Sequence, residues 1–367
     1  MEFWKSSLEK LVINEKVWKG KTILVTGHTG FKGSWLSLWL QKLGVNLIGY
    51  SKSIPTTPSL FELAQVDEKM NSIIGDVCDL SNLQNIIKKY EPEIVIHMAA
   101  QSLVRKSYVN PLETFSTNIM GTVNLFEAVR RTKNPCIIVN VTSDKCYENV
   151  NKIQGYTEND PMGGYDPYSS SKGCSELITT SFRNSFFQNT NTNEGQVSLA
   201  SVRAGNVIGG GDWSEDRLIP DIMKAVIKKK KIEIRNPNAI RPWQFVLEPL
   251  SGYLLLIEKL MEQDSKYCEG WNFGPNERNL ISVSTLINKI NQILNGKISV
   301  EYNKSNIYEE EKLILNCDKA KSKLGWKPKM DIDLSIKWVV EWYNNYHNNG
   351  NVKDFTNKQI DEFSLLC

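Results

Sequence analysis

Residues 22–33 read TILVTGHTGFKG, and this stretch decides the fold. A short β-rich run, TILVT, leads directly into glycines at positions 27, 30 and 33, and the following SWLSLWLQKL reads as a helix. In such a strand–turn–helix the first glycine permits a tight turn and the second lets the backbone approach a pyrophosphate. The third lets the helix pack close to the strand. A purely structural turn is the alternative, but the context favours a dinucleotide site.

The rest of the first half alternates between strand-like and helix-like segments. The strand candidates are NLIGY (46–50), SIIGD (72–76), EIVIHMAA (93–100), CIIVNV (136–141) and VSLASVRAGNVIG (197–209). Between them lie helix-like segments such as 117–133, in which apolar residues recur at helical spacing. The alternation predicts an α/β fold with a doubly wound parallel (Rossmann) sheet.

Past residue 205 the alternation loosens, which indicates a smaller α/β substrate domain built largely from C-terminal segments. We expect the dinucleotide-binding domain to comprise residues 18–205 and about 238–264. The second domain would then comprise about 206–237 and 265–340.

The composition excludes several classes of protein. The chain has 367 residues, 44 basic against 41 acidic, and this balance does not favour nucleic-acid binding. Seven dispersed cysteines without a CxxC pair predict free thiols in a reducing compartment, and the three histidines lack metal-ligand spacing. No apolar run is long enough to cross a membrane, and the N-terminus lacks the apolar core of a signal peptide. We therefore expect a cytoplasmic protein without a metal site.

The residues after the second strand leave the choice of dinucleotide open. An acidic side chain is expected there to hold the adenosine ribose, but NLIGY is followed by SKSIP. Lys52 would attract a 2′-phosphate and so favour NADP. Alternatively, Lys52 is solvated and Ser53 or a backbone group holds the ribose of NAD.

Tyr168 and Lys172 form a YxxxK pair, whose spacing places both side chains on one face of a helix. A tyrosine ionises near pH ~10, and a nearby ammonium lowers its pKa, so that the phenolate can accept a proton from a hydroxyl. Taken alone, the pair is better explained as a surface contact, and it gains weight from following the glycine turn and VTSDK.

The stretch VTSDK, residues 141–145, closes another predicted strand with two hydroxyls, an acid and a base. The carboxyl ends of parallel strands point to the ligand crevice, so we expect Thr142, Ser143, Asp144 and Lys145 to face the same crevice as Tyr168. The alternative is an ordinary helix cap, since Ser and Asp are also cap residues.

The second half carries groups suited to an anion, namely Asn206, Arg217, Arg235 and Arg241. Arginines bind phosphates through two parallel hydrogen bonds, so this set would hold a nucleotide diphosphate. For any single arginine, solvated surface charge is the better interpretation.

Together these motifs resemble the extended short-chain dehydrogenase/reductase family and, within it, the CDP-glucose branch of the nucleotide-sugar 4,6-dehydratases. The resemblance runs from about residue 18 to 340. It is carried by GHTGFKG, HMAAQ (97–101), TSDK, YxxxK, RAGNVIGGGDW (203–213), DRLIPD (216–221), IRPWQ (240–244) and GWNFGP (270–275). The glycine turn and YxxxK are shared by the whole superfamily, whereas TSDK followed by CY, and GNVIGGGDW with DRLIP, are narrower signals.

The resemblance implies a redox-neutral loss of water from a nucleotide sugar on bound NAD, giving a 4-keto-6-deoxy sugar for surface polysaccharide. It implies that Tyr168, helped by Lys172, takes the proton of the sugar 4-hydroxyl, with Ser143 hydrogen-bonded nearby. Asp144 matches the family's acid and Lys145 its base, where dTDP-glucose relatives carry Asp-Glu. Asp144 would need burial to keep its proton, and Lys145 would need desolvation or nearby cations to lose one.

The resemblance also implies a homo-oligomer and further site residues. The cofactor-binding set is Gly27, His28, Thr29, Gly30, Phe31, Lys32, Gly33, Ser53, Asp76, Val77, Ala99, Ala100 and Thr142, with Tyr168 and Lys172. The substrate-binding set is Gln101, Ser143, Asn206, Arg217, Leu218, Ile219, Arg235 and Arg241. One departure is Ser53, where the family usually has Asp, so NADP is not excluded. The alternatives are a nucleotide-sugar 4-epimerase, which needs no acid–base pair for water loss, and a dinucleotide-binding sensor, which needs neither Tyr168 nor Lys172.

Overall fold

The computed structural model describes residues 13–132, 134–187, 196–262, 265–302 and 313–366. The strands in these ranges are β1 (Thr22–Thr26), β2 (Asn46–Ser51), β3 (Asn71–Ile74), β4 (Ile94–His97), β5 (Cys136–Val141), β6 (Val197–Ala204), β7 (Val207–Ile208), β8 (Ile232–Ile234), β9 (Ile240–Pro242), β10 (Gln244–Phe245), β11 (Gly270–Phe273), β12 (Leu280–Ser282) and β13 (Val300–Tyr302). The helices are α1 (Glu15–Trp18), α2 (Phe31–Lys42), α3 (Leu60–Leu63), α4 (Leu80–Tyr90), α5 (Val104–Val109), α6 (Pro111–Phe115), α7 (Gly121–Thr132), α8 (Pro167–Phe182), α9 (Leu218–Ile227), α10 (Leu247–Met261), α11 (Val283–Ile293), α12 (Ile332–His347) and α13 (Val352–Leu366).

A parallel sheet forms the centre of the molecule, with strand order β11-β6-β5-β4-β1-β2-β3 in the described part of the chain. Every neighbouring pair in it is parallel. The chain adds β2 and β3 on one side of β1 and then adds β4, β5 and β6 on its other side. This reversal places a ligand crevice at the carboxyl ends of β1 and β4. The prediction of a doubly wound parallel sheet is confirmed.

Helices cover both faces of this sheet because its buried strands carry apolar side chains on both sides. Alternate residues of β1 belong to different cores, with Ile23 and Val25 in one and Leu24 in the other. The core around Leu24 includes side chains of α4 and α7, whereas the larger core includes those of α2, α10 and α12. Both faces of the sheet are therefore covered by helices, and the carboxyl ends of the strands stay accessible to a ligand.

The expected strand over 197–209 is wrong in its second half. The strand β6 ends at Ala204, and after two residues the chain forms β7, which pairs with β10 outside the central sheet. The break lies where the Asp144 carboxylate approaches the backbone, since a Cβ on Gly205 would lie 2.8 Å from an Asp144 carboxylate oxygen. The strand thus ends at a contact with the predicted site.

Three small strand pairs lie beyond β6. The pairs β7–β10 and β8–β13 are parallel, and β9–β12 is antiparallel. Only β8–β13 joins the two parts of the expected second domain, because β9 and β10 lie in the 238–264 segment that was expected in the dinucleotide-binding domain. The strand β11, which that division assigned to the second domain, extends the central sheet instead. The division into two domains otherwise stays a prediction. None of the helices in the described ranges has the length and apolar content needed to span a bilayer.

A buried carboxyl group fastens the C-terminal part of the chain to α10. Glu248 is only 1% exposed, and its Oε1 accepts the backbone N–H groups of Lys329 at 2.7 Å and Met330 at 2.5 Å. Burial raises the pKa of Glu248 to about 7, although the two N–H groups oppose the shift. The folded protein therefore binds a proton at Glu248 more tightly than the unfolded chain does.

We expect this group to make the protein less stable as the pH rises. Its ordinary pKa is 4.5, so the stability that it contributes is complete below that value and is lost as the pH passes about 7. The loss is on the order of 3 kcal/mol in the free energy of unfolding. The free energy of unfolding, measured with urea at several pH values, should depend less on pH in Glu248→Gln than in the native chain. The exposed Glu301→Gln should leave the profile unchanged, and an equal effect of both variants would contradict the assignment.

Candidate active site

The turn between β1 and α2 requires glycine at two positions. Gly27 has a φ of +77°, and a Cβ there would lie 2.7 Å from the backbone nitrogen of Ala99. A Cβ on Gly33 would lie 2.2 Å from the carbonyl oxygen of Gly27. The helix α2 begins after Gly30, whose position offers no side chain to cap the first N–H groups. The predicted strand–turn–helix is confirmed, and its helix end is suited to an anion.

One member of the predicted cofactor set lies beneath the turn. The ring of His28 is buried, with Nδ1 2.8 Å from the Ser51 hydroxyl and Nε2 2.7 Å from the Ser72 hydroxyl. Burial lowers the pKa of His28 to about 4, so the ring is neutral at physiological pH. Its side chain therefore ties β2 to β3 and does not face the cleft.

The acidic group that the second strand lacks comes from its neighbour. Asp76 follows β3, and its carboxylate lies 3.0 Å from the Lys52 ammonium and accepts the N–H of Cys78 at 2.9 Å. Desolvation alone would raise the pKa of Asp76, but these hydrogen bonds outweigh it and lower the pKa. The hydrogen bond from Asp76 also raises the pKa of Lys52. The charge of Lys52 is thus already compensated by a carboxylate.

Tyr168 and Lys172 lie one turn apart on α8. This helix begins where Asp166 accepts the N–H of Ser169 at 3.0 Å, with Pro167 at the first helical position. Tyr168 is 8% exposed. The ammonium of Lys172 donates to the carbonyl of Val141, the last residue of β5, at 3.3 Å. The helix and β5 are thereby joined at the predicted site.

The expected effect of Lys172 on Tyr168 is wrong in this structure. Burial raises the pKa of Tyr168, and the hydrogen bond with Ser143 is the largest opposing cause, followed among lowering causes by Arg217 and Lys145. Burial also lowers the pKa of Lys172 to about 8. The hydrogen bond between Tyr168 and Ser143 therefore lowers the pKa of Tyr168 more than the nearby charges of Arg217 and Lys145 do.

The acid and the base of TSDK lie in a short turn after β5. Ser143 caps this turn, with its hydroxyl accepting the N–H of Lys145 at 3.3 Å and donating to Asp144 Oδ1 at 3.0 Å. Asp144 is 6% exposed and Lys145 is half-buried. The cap interpretation is therefore correct for Ser143. Its hydroxyl also hydrogen-bonds Tyr168, while its role in the reaction stays a prediction.

Lys32 of the glycine turn also faces the catalytic side of the cleft. Its ammonium lies 3.3 Å from the Tyr253 hydroxyl. Burial, together with repulsion from Lys172 and Arg217, lowers its pKa to about 7, while Asp144 opposes the shift. The sequence analysis placed Lys32 among the cofactor residues. It did not indicate that the charge of Lys32 interacts with that of Asp144.

All three predicted arginines line the cleft, and two of them are held by acidic neighbours. Arg217 pairs with Asp212 at 3.0 Å, and Arg235 pairs with Asp216 at 3.2 Å. The same Asp216 also pairs with Arg105 at 3.3 Å. Sequence reasoning missed Arg105, because nothing in VRKSY separates a pocket arginine from a surface one.

Gln101 is a less direct member of the substrate set. Its side-chain amide donates to the carbonyl of Leu103 at 3.0 Å and to the hydroxyl of Thr114 at 2.9 Å. Asn118, which the sequence analysis did not single out, accepts the N–H of Gln101 at 2.8 Å and donates to Ser171 at 2.9 Å. Gln101 therefore orders the loop after β4 in this structure.

One cleft of about 1380 Å³ brings the predicted groups together. With the exception of His28, every residue of the predicted catalytic, cofactor and substrate sets lines it. It runs from the glycine turn, past Asp144 and Tyr168, to Arg235 and Arg241. Such a cleft can hold an extended dinucleotide at one end and an anionic sugar derivative at the other, with an acid and a base where they meet.

Comparison with known proteins places these features in a family. Residues 24–338 match the family model described as GDP-mannose 4,6 dehydratase. A curated CDP-glucose 4,6-dehydratase from Salmonella typhimurium is 50% identical over 333 residues, which cover 90% of this chain and 93% of that protein. Among solved structures, the epimerase Mth375 from Methanothermobacter thermautotrophicus is similar with a TM-score of 0.78 and 22% identity, covering 92% of this chain and 96% of that one. A dTDP-glucose 4,6-dehydratase from Bacillus anthracis, in complex with NAD, has a TM-score of 0.75 at 22% identity and covers 90% of this chain and 99% of its own. At this identity the structural matches support the fold.

Proposed function

The chain belongs to the family described as GDP-mannose 4,6 dehydratase, and on that premise we propose that it is a CDP-glucose 4,6-dehydratase. It converts CDP-D-glucose into CDP-4-dehydro-6-deoxy-D-glucose and water, with NAD as an internal redox cofactor. The observation that carries the proposal is the acid–base turn of Ser143, Asp144 and Lys145 beside buried Tyr168, in one cleft with the glycine turn.

The residues at one end of the cleft fit NAD. A Cβ at Gly27 or Gly33 would collide with the chain's own backbone, so glycine is what permits this tight turn. The turn leads into the N-terminus of α2, which suits a pyrophosphate. Asp76 supplies a carboxylate near the end of the second strand, and its ion pair with Lys52 leaves less attraction for a 2′-phosphate. This arrangement favours NAD over NADP. When bound, NAD supplies the reversible acceptor for the hydrogen that moves from carbon 4 to carbon 6.

The chain's own groups perform the proton transfers. Tyr168 accepts the proton of the sugar 4-hydroxyl, and Ser143 donates a hydrogen bond beside it. The resulting 4-ketone acidifies the proton on carbon 5, which Lys145 removes. Asp144, which is buried, gives a proton to the departing 6-hydroxyl.

The first experiment is to incubate the purified chain with CDP-glucose and NAD in heavy water and to take a mass spectrum of the sugar nucleotide. Loss of one water, with one solvent deuterium retained at carbon 5, would support both the dehydratase and the elimination step. Parallel reactions with dTDP-, UDP- and GDP-glucose test the nucleotide. An unchanged mass with all four would overturn the proposal, and a changed sugar stereocentre would then indicate an epimerase.

We further propose that the enzyme is a homo-oligomer in the cytoplasm and serves the synthesis of deoxysugars for surface polysaccharide. The support for association is a set of exposed apolar side chains on packed neighbouring helices. The set comprises Val109, Leu112, Met120, Leu177 and Phe186. The cysteines of the described residues are free thiols, which suits a reducing compartment.

Adding charge to these helices should break the association. We expect Leu112→Glu combined with Leu177→Glu to elute as a monomer in size-exclusion chromatography with light scattering, because buried carboxylates oppose contact. Leu365→Glu, at an equally exposed leucine of α13, is the control and should keep the native mass. A native chain that is already monomeric would contradict this part of the proposal.

A further inference from the structure

A fully buried ion pair lies behind the acid–base turn. Arg203 of β6 and Glu176 of α8 are 2.7 Å apart, with side chains 5% and 2% exposed. The hydroxyl of Ser201 donates to Glu176 at 2.7 Å, and the hydroxyl of Thr142 donates to its other carboxylate oxygen. Burying two charges costs free energy that apolar side chains would not cost, so a pair in this place calls for a reason beyond stability.

The pair contacts the chain on both sides of the turn formed by residues 143–146. Thr142, immediately before the turn, is held by Glu176. Tyr147, immediately after it, accepts a hydrogen bond from Arg203 at 2.5 Å, and the guanidinium lies 5.0 Å from the centre of its ring. The two ends of the turn are thus fixed by opposite members of one ion pair.

The same pair is also connected to the proton-transfer helix. Glu176 lies one helical turn after Lys172 on α8, and Lys172 lies one turn after Tyr168. After burial, Glu176 is the largest influence on Lys172 and favours its charged form. The ion pair therefore joins the helix that carries the base for the 4-hydroxyl to the turn that carries the acid and base for water loss.

We propose that Glu176 and Arg203, acting through Thr142 and Tyr147, form a positioning clamp that keeps the 143–146 turn aligned with the α8 helix. The clamp members are positioning residues, because they act through the catalytic groups. The inference rests on the proposed function, since it assigns the clamp to the elimination step.

The test removes single hydroxyl groups, because cutting the ion pair itself would leave an unpaired buried charge and endanger folding. Tyr147→Phe and Thr142→Val each detach one end of the turn from the clamp. Ser201→Ala is the matched control, because it removes a buried hydroxyl bound to the same carboxylate but lies on β6, away from the turn.

With CDP-glucose and NAD, we expect kcat to fall about 10- to 100-fold in Tyr147→Phe and Thr142→Val, with KM changed less than about twofold. The reason is that misaligning Asp144 and Lys145 slows water loss while substrate binding and Tyr168 are retained. The absorbance of the reduced cofactor should therefore accumulate during turnover in both variants. Ser201→Ala should remain within about threefold of the native chain.

Two outcomes would overturn the inference alone. One is that the native chain is active while Tyr147→Phe and Thr142→Val behave like Ser201→Ala. The other is that their activity falls without accumulation of reduced cofactor, which is the behaviour of a merely structural contact. A native chain that forms no product overturns the proposed function, and the clamp with it.

Discussion

Replacing Tyr168 by phenylalanine is expected to lower kcat for the keto sugar by about 10²- to 10⁴-fold, the usual contribution of a general base. The phenol is buried beside Ser143, so its loss leaves no positioned group to accept the proton of the 4-hydroxyl. KM should change little, because the predicted substrate-binding residues Arg217, Arg235 and Arg241 are untouched. Steady-state kinetics with CDP-glucose provide the measurement.

A matched tyrosine separates this chemical role from packing. Tyr267 is buried to a similar degree but lies outside the cleft, and Tyr267→Phe should retain native kcat. In Tyr168→Phe no reduced cofactor should appear, because oxidation at carbon 4 is the step that fails. A Tyr168→Phe variant within tenfold of the native rate would refute the assignment of Tyr168 as the base.

Asp144→Asn is expected to lower product formation by a similar factor of about 10²–10⁴, but at a different step. The amide keeps the shape of the carboxyl group and can still accept the hydrogen bond from Ser143, yet it cannot donate a proton to the departing 6-hydroxyl. Oxidation at carbon 4 stays intact, so the absorbance of reduced cofactor should build up and remain. Stopped-flow absorbance together with mass spectrometry of the sugar nucleotide measures both effects.

Asp166→Asn is the control for this second variant. Asp166 is also a buried aspartate that lines the cleft, and asparagine replaces it well as a helix cap. Its activity should therefore stay close to native. Equal losses in the two aspartate variants would show that Asp144 matters for structure rather than for proton donation.

The sequence was sufficient for features that depend on neighbouring residues. The glycine turn at 27–33, the strands leading into it and out of it, and the helix that carries Tyr168 follow from local steric and periodic rules. The polar residues after β5 were expected at the strand ends because parallel sheets bring those ends together. The cleft contains them as expected, while their chemical roles stay predictions.

What the sequence did not indicate depends on contacts between distant segments. The early end of β6 follows from the approach of Asp144 to Gly205, about sixty residues apart. The carboxylate beside Lys52 comes from the next strand, so a search along the second strand alone could not find it. The raised pKa of Tyr168 reflects burial, which no residue spacing encodes.

The edge position of β11 has a consequence for dissecting the enzyme. Gly270–Phe273 comes from the C-terminal part of the chain, yet it covers the outer side of β6, whose residues are almost all buried. A fragment ending before residue 265 would expose the hydrogen-bonding groups of an apolar strand, the kind of edge on which chains aggregate. We therefore expect a fragment that ends before residue 265 to aggregate, so that cofactor binding is best studied in the full chain.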